Sequence, residues 1–303
     1  MQDPKTGLLR AELARPVDCP VCSADAAEKI FVKEGFTFVR CPGCGLVYVN
    51  PQLDQSRLKE SYEGATSQDI WVDVLLSADQ QAYDGKKFQR AAEEMNRMRP
   101  AKGKVLDVGC SIGLFLDIAR SAGWKVWGLE LSKKAVKYAV ETLKLDVRPK
   151  LLEDCGFEPE SFDVLTLWEV LEHVPDPRGL LADAAGLLKP GGLAALLVPN
   201  AKSLSVMMMR ERSSAFGGRN HLWYFSPKTL PMLLDGCGFE TVSISTQLSQ
   251  IEEMASYLNY EDPYFPTGKN REFAPDAATL REAERFIFAN NMGYKLMVWA
   301  KKR

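Results

Sequence analysis

The sequence predicts an α/β fold, a mostly parallel sheet of seven strands with a small cysteine-rich ribbon before it. Three observations carry this. From Lys104 onward, short apolar runs alternate with helical stretches, the pattern of strands joined by right-handed crossovers. A Gly-containing turn joins the first apolar run to a helix, at Val105-Leu106-Asp107-Val108-Gly109-Cys110-Ser111-Ile112-Gly113. Two Cys-x-x-Cys pairs lie between residues 15 and 50, where helical signals are few.

The first predicted strand, Lys104–Val108, leads into a helix over Leu114–Ala122. Lys125–Glu130 follows as a strand, and Ser132 is the N-cap of a helix reaching Leu143. Val147–Leu152 is a weak strand and Phe162–Trp168 a strong one. A helix over Asp176–Leu188 is closed by Lys189-Pro190-Gly191-Gly192, and Leu193–Val198 is a fully apolar strand. Beyond Pro199 the order changes. A helix is expected over Lys202–Arg212, with three consecutive methionines from Met207 to Met209, and a mobile linker over Ser213–Asn220. A helix over Ser226–Gly236 and strands at Glu240–Thr246 and Tyr294–Ala300 complete the chain. Residues 1–14 read as a loose arm. The expected organisation is a ribbon over 1–52, a charged, Gln-rich helical linker or lid over 53–100, and a cofactor domain over 101–303 with a lid insertion around 201–225.

Bulk properties narrow the function. The chain has 303 residues, 46% of them hydrophobic, enough for about two domains with a sizeable core. Its net charge of −2 gives no electrostatic footprint for nucleic acid. Met1 to Arg10 is polar, without the apolar stretch of a signal peptide. The longest apolar run, Leu193 to Val198, is far shorter than the ~20 residues a membrane span needs. A soluble, cytoplasmic protein without a membrane span is expected; the sequence leaves the oligomeric state open.

Cys19 and Cys22 are separated from Cys41 and Cys44 by 18 residues, the spacing of a tetrahedral four-thiolate zinc site. Without export signals, such pairs point to metal rather than disulfides. Four protein ligands close the coordination shell, so the zinc is expected to be structural. A ribbon of about 35 residues is too small to fold alone and draws its stability from the metal. Its four basic residues (Arg15, Lys29, Lys33, Arg40) balance four acidic ones (Asp18, Asp25, Glu28, Glu34), which disfavours phosphate binding and favours a scaffold or substrate-side lid.

The turn after Val108 has only two of the three glycines that seat a pyrophosphate on a helix N-terminus, and Asp107 ends the strand within it. An acidic group there suits a cofactor with no phosphates, carrying an ammonium and a sulfonium. Glu130, ending the next strand, can accept both hydroxyls of a ribose.

With these residues in view, the chain resembles the class I S-adenosylmethionine methyltransferases, whose sheet is Rossmann-like. The matching blocks are Asp107-Val-Gly-Cys, Gly128-Leu-Glu130, Ser161-Phe-Asp163-Val-Leu, Glu169-Val-Leu-Glu-His-Val-Pro-Asp-Pro177, Leu188-Lys-Pro-Gly-Gly192 and Gly236-Cys-Gly-Phe239. Ser111 stands where the family usually has glycine. The resemblance implies S-adenosyl-L-methionine as cofactor. Asp107, Gly109, Cys110 and Gly113 would line its methionine and ribose, Glu130 would hold the ribose hydroxyls, and Leu131 would pack on adenine. Trp168 and Glu169 would lie beneath the sulfonium.

Methyl transfer needs a positioned nucleophile and a base for its proton. The chain has only two histidines, His173 within Glu169-x-x-Glu172-His173 and His221 after the methionine-rich segment. This pattern is similar to that of ubiquinone-biosynthesis O-methyltransferases and of small-RNA 2′-O-methyltransferases. In those, two carboxylates and two imidazoles hold a divalent ion that binds substrate hydroxyls. The candidate catalytic residues are therefore His221, His173 and Glu169, and Glu169, Glu172, His173 and His221 are a candidate second metal set. His221 as a metal-free general base or substrate anchor, or as a structural residue, stays open. The ribbon-plus-core arrangement also resembles bacterial sugar and natural-product methyltransferases, so a small-molecule or glycan acceptor and an O-methyl product are expected. RNA methylation through the ribbon is the alternative. Leu167-Trp-Glu-Val, in place of the Asn/Asp-Pro-Pro-aromatic motif of amino-directed base enzymes, argues against it.

Overall fold

The protein is described from a computed structural model covering residues 1–54, 72–251, 254 and 276–303. Near the N-terminus, β1 (Ala14–Arg15) pairs antiparallel with β5 (Gln52–Leu53). Between them, β2 (Glu28–Lys33), β3 (Phe36–Arg40) and β4 (Val47–Val49) form an antiparallel meander. Helix α1 (Ala78–Met98) follows, capped by Ser77, and buries Ala91, Ala92 and Met95 on one face.

The central sheet contains β6 (Lys104–Val108), β7 (Lys125–Leu129), β8 (Val147–Arg148), β9 (Phe162–Trp168) and β10 (Leu188–Pro199). The two-residue β11 (Trp223–Tyr224) belongs elsewhere, and β12 (Phe239–Gln247) and β13 (Lys295–Lys302) close the sheet. The order is β12-β13-β10-β9-β6-β7-β8, with β13 antiparallel to both its neighbours and the rest parallel. This is the seven-stranded, mostly parallel arrangement expected. All seven residues of β9 are buried, as a central strand covered on both faces requires. Strand order reverses between β6 and β9, and ligands of open α/β sheets bind outside the strand C-termini at such a switch point.

Helices α2 (Leu114–Ser121), α3 (Lys133–Glu141) and α4 (Pro177–Leu187) are the crossovers. Ser132 caps α3 by accepting from Ala135 N, and Asp176 caps α4 by accepting from Gly179 N. After the sheet turns back come α5 (Leu204–Met209), α6 (Thr229–Asp235) and α7 (Ala277–Ala289). Asp163, from the Ser161-Phe-Asp block, ties strand ends together by accepting from Lys104 N and Lys189 Nζ, both at 2.9 Å.

Several local expectations are corrected. Residues 1–14 are no loose arm: Gln2 bridges to Leu9, and Leu9 and Leu13 pack against the core. Ser213–Asn220 is no mobile linker either, because Ala215 and Phe216 are buried. The helix expected over Lys202–Arg212 ends at Met209, where Arg210 takes a positive φ of 51° and a short 3₁₀ turn follows. Lys189-Pro190-Gly191-Gly192 lies inside β10 as an irregularity, with the register shifting between Leu188 and Leu193. Helix α7 carries no such expectation, and Ile287 is its one buried residue. Residues 55–71 of the expected linker lie outside the described residues.

Candidate functional site

The turn after β6 has the backbone of a glycine loop. Gly109, Ser111 and Gly113 all take positive φ, at 74°, 51° and 82°. A Cβ on Gly109 would lie 2.6 Å from Val170 Cγ2, so glycine is required there by space as well as conformation. Ser111 adopts the left-handed conformation that the absent glycine would have taken, at a cost of about 1–2 kcal/mol. Glu130, just beyond β7, accepts from Ser111 N at 2.9 Å and from Ser132 N at 2.7 Å. It thereby joins the loops after β6 and β7, and its remaining lone pairs are open to further donors. Leu131 is 48% exposed beside it.

Asp107 and Cys110 are buried beneath this turn rather than open at its surface. Asp107 pairs in register with Thr166 of β9, whose hydroxyl donates to Oδ1 at 2.6 Å, while Oδ2 is buried without a partner among the described residues. Burial pushes the Asp107 carboxyl up to about 8, against the Thr166 bond, with Glu130 adding to the rise. Cys110 Sγ packs where a Cβ on Gly128 would lie. The amides of Gly109 and Cys110 are spent on Leu129 O and that of Ser111 on Glu130, so the groups this turn leaves for a ligand are the further lone pairs of Glu130 and the exposed apolar side chain of Leu131.

Trp168 ends β9 and packs edge-on against Phe115 at 4.9 Å between centroids, its indole N–H buried without a partner among the described residues. Glu169 follows with φ of 59°, a strained backbone of the kind found at functional sites. Its carboxylate is held by Lys295 of β13 and by Lys87 of α1, the latter at 3.7 Å. Burial opposes its charge, but Lys295 and Lys87 outweigh this and hold the carboxyl below its usual range. Nothing local pairs Glu169 with Lys295, which sequence reasoning missed. Their approach follows from the β9-β10-β13 order, with Lys295 opposite Pro199.

Beyond Glu169, three of the four candidate second-metal residues converge. Ligand atoms of Glu172, His173 and His221 lie within 4.8 Å of one another; Glu169, drawn to its lysines, is not in that group. The Nδ1 of His173 lies 2.8 Å from the carbonyl of Asn220, and that of His221 lies 3.1 Å from the carbonyl of Ala215. Carbonyls only accept, so each ring carries its proton on Nδ1 and keeps Nε2 as a free lone pair. Glu172 is 1% exposed, and both its oxygens lack partners among the described residues. Burial, with Glu169 nearby, pushes its carboxyl up to about 8. Burial, with the neighbouring His221, lowers His173 to about 4, and burial also lowers His221. The result is one orphaned acid and two neutral imidazoles whose outer nitrogens are oriented by carbonyls, as in metal-ligating histidines.

The cysteine module is joined to the segment carrying His221 by the pairing of β4 with β11. Sulfur atoms of Cys19, Cys22, Cys41 and Cys44 lie within 4.8 Å of one another, with Cys19 to Cys44 at 3.5 Å and Cys22 to Cys41 at 3.4 Å. These separations are too long for disulfide bonds and close to the about 3.8 Å edge of a tetrahedron with Zn–S bonds of about 2.3 Å. Leu46 N points at Cys44 Sγ at 3.4 Å, permitted by Gly45 at φ 88°. The donor set fits zinc.

The sequence model of the family described as a methyltransferase domain matches residues 83–244, just over half of the chain. The chain belongs to that family. Its cofactor is S-adenosylmethionine, and it is a methyltransferase on a Rossmann-like sheet; the cysteine module lies outside the matched segment. A ubiquinone biosynthesis O-methyltransferase of Xanthomonas axonopodis pv. citri is 34% identical over 164 residues, which is 50% of this chain and 69% of that protein. Magnesium protoporphyrin IX methyltransferase from Synechocystis PCC 6803, solved with S-adenosylhomocysteine bound, superposes with a TM-score of 0.53 at 16% identity, covering 82% of this chain and 100% of that one. A methyltransferase from Thermotoga maritima superposes with a TM-score of 0.51 at 18% identity, over 82% and 97% of the two chains. At these identities the two structures speak for the fold.

Proposed function

We propose that this methyltransferase forms an O-methyl product on a small hydroxylated acceptor, using a divalent cation held by Glu172, His173 and His221. The observation that carries this is the convergence of an unpartnered buried carboxyl group with two imidazoles whose Nε2 atoms are free. Such a set has little reason to persist as core packing, because an unsatisfied buried carboxyl costs about 1–3 kcal/mol. The similarity to ubiquinone biosynthesis O-methyltransferases supports an oxygen acceptor. A glycan hydroxyl is the same kind of acceptor and falls within this reading.

The cofactor supplies a methyl group already activated on sulfonium. In this reading the turn at Gly109–Gly113 carries its methionine end, Glu130 accepts from the ribose hydroxyls, and Leu131 covers the adenine. Trp168 and Glu169 face the sulfonium, with Lys295 and Lys87 fixing Glu169. Asp107 and Cys110 shape the turn from beneath. A cation at Glu172, His173 and His221 would lower the pKa of an acceptor hydroxyl and orient its oxygen.

The test is transfer of labelled methyl from S-adenosylmethionine to a panel of catechols, hydroxybenzoates and monosaccharides, with and without Mg²⁺. Labelled methyl ethers that depend on the added cation are expected. Methylation confined to amines or carbon, or ether formation indifferent to divalent ions, would overturn the reading.

A further inference from the structure

We propose that the four-cysteine module is a positioning element of the histidine cluster. A tetrahedral cation held by Cys19, Cys22, Cys41 and Cys44 fixes β4, and β4, through β11, sets His221 against His173 and Glu172. This deepens the reading above, since it concerns the same cluster.

The first route is through the backbone. The second knuckle closes with Cys41 N donating to Leu46 O at 2.9 Å, and β4 begins at the next residue. Strand β11 is the fourth strand of the ribbon's sheet, although it is distant in sequence: Tyr48 pairs with Trp223 and Val47 with Tyr224. Val49 N donates to Leu222 O at 3.0 Å, while Leu222 N donates to Glu172 O at 2.8 Å. The residue next to His221 is thus hydrogen-bonded on one side to the ribbon and on the other to the Glu172–His173 turn. A two-residue strand has too few bonds to hold its own position, so it is placed jointly by β4 and by the core, where Trp223 Nε1 donates to Val174 O at 2.7 Å.

The second route is through side chains. Phe31 of β2 and Phe38 of β3 meet the Phe216 ring at 5.0 and 5.4 Å between centroids, and Phe38 also meets Tyr224 at 5.4 Å. Phe216 directly follows Ala215, whose carbonyl receives the His221 Nδ1 proton. Tyr224 Oη donates to His221 O at 2.9 Å. Both groups that orient His221 are therefore seated on ribbon aromatics. The ribbon is also anchored from outside, with Arg178 of α4 donating to Pro20 O at 2.8 Å and Lys33 to Ser213 O at 2.9 Å. A separately tethered module would have a core of its own. Here Cys19, Phe38 and Tyr48 share one buried cluster with Leu106 and Leu167 of the sheet.

The two histidines make this directly readable. With ¹⁵N-labelled histidine, the full chain gives two imidazole spin systems, and ring tautomer is a spectroscopic signature. Wild type and Cys44→Ser are compared after a weak chelating resin has removed loosely held divalent ions from both, with retained zinc measured in each. The readout then does not depend on whether the cluster binds a cation or an acceptor. In the zinc-loaded wild type both rings are expected as the Nδ1–H tautomer. In zinc-free Cys44→Ser the His221 signal is expected to lose that signature, while S-adenosylhomocysteine affinity stays within about threefold, measured by calorimetry. Phe38→Leu, which keeps all four ligands, is expected to shift the His221 signal with zinc retained, and serves if Cys44→Ser cannot be purified. Unmoved histidine signals in either variant overturn the proposal. So does loss of S-adenosylhomocysteine binding together with the zinc, which would make the metal a support of the whole fold instead.

Discussion

His173 and His221, from segments 48 residues apart, meet edge to face with 4.7 Å between ring centroids, each with its Nδ1 turned to a main-chain carbonyl. That geometry leaves two Nε2 lone pairs beside the unpartnered carboxyl group of Glu172.

If the pair ligates a cation, Mn²⁺ should bind the zinc-loaded protein, with an electron paramagnetic resonance signal distinct from aqueous ion. His221→Ala is expected to weaken that binding by more than the 10–100-fold typical of losing a supporting partner alone. Turnover should fall by about 10²–10⁴-fold, with S-adenosylhomocysteine affinity preserved. Equal Mn²⁺ affinity in wild type and variant would remove His221 from the ligand set.

How much of this was legible in the sequence depended on where each interaction lies. The strands β6 and β9 were readable to the residue, because buried central strands are continuous apolar runs bounded by breakers. The cysteine module was readable from spacing alone. The Lys295–Glu169 pair was not, since it depends on an antiparallel strand returning beside β10. Nor was β11: two residues carry no periodicity, and Trp223-Tyr224 becomes a strand only because β4 offers it an edge. The buried position of Asp107 was also hidden, because a motif gives the order of residues and not the depth of a side chain.

Glu130 bonds two loop amides and keeps lone pairs for further donors, so its loss should act twice. Glu130→Ala is expected to weaken S-adenosylhomocysteine binding by roughly 1–3 kcal/mol, the scale of bonds to a charged acceptor, and to loosen the Ser111 turn. Glu130→Gln retains one acceptor oxygen and should fall between wild type and alanine. Calorimetry on the three proteins checks the order; equal affinities would show that the carboxylate serves the loops alone.

Metal analysis of the purified chain should give close to one zinc per chain, resistant to weak chelators. Cys41→Ser should lower that content and expose the knuckle loops to proteolysis, since the metal ties the two cysteine pairs together while the ribbon strands stay packed on the core they share with the sheet. A folded wild type with no zinc and no other metal at these sulfurs would refute the structural-metal assignment.

The buried acid at Asp107 makes stability depend on pH in a stated direction. In the unfolded chain an aspartate is ionised above about 4, whereas in the folded protein burial keeps this one protonated up to about 8. Between those limits the folded state binds the extra proton, so the contribution of this group to the stability of the ligand-free protein falls as pH rises; the depressed His173 and His221 act oppositely, but only up to the ordinary imidazole range at about 6.5. Each pH unit in that window costs up to about 1.4 kcal/mol for this one group. Glu172, also pushed up to about 8, acts with the same sign. Asp107→Asn removes one of the two groups while leaving an oxygen to accept from Thr166, and should flatten the fall in melting temperature between pH 6 and pH 8. Adding Glu172→Gln should flatten it further. Differential scanning calorimetry across that range decides the matter: a wild type whose melting temperature rises with pH there, or an Asp107→Asn variant with an unchanged slope, would mean that the carboxyl group is already ionised in the folded protein.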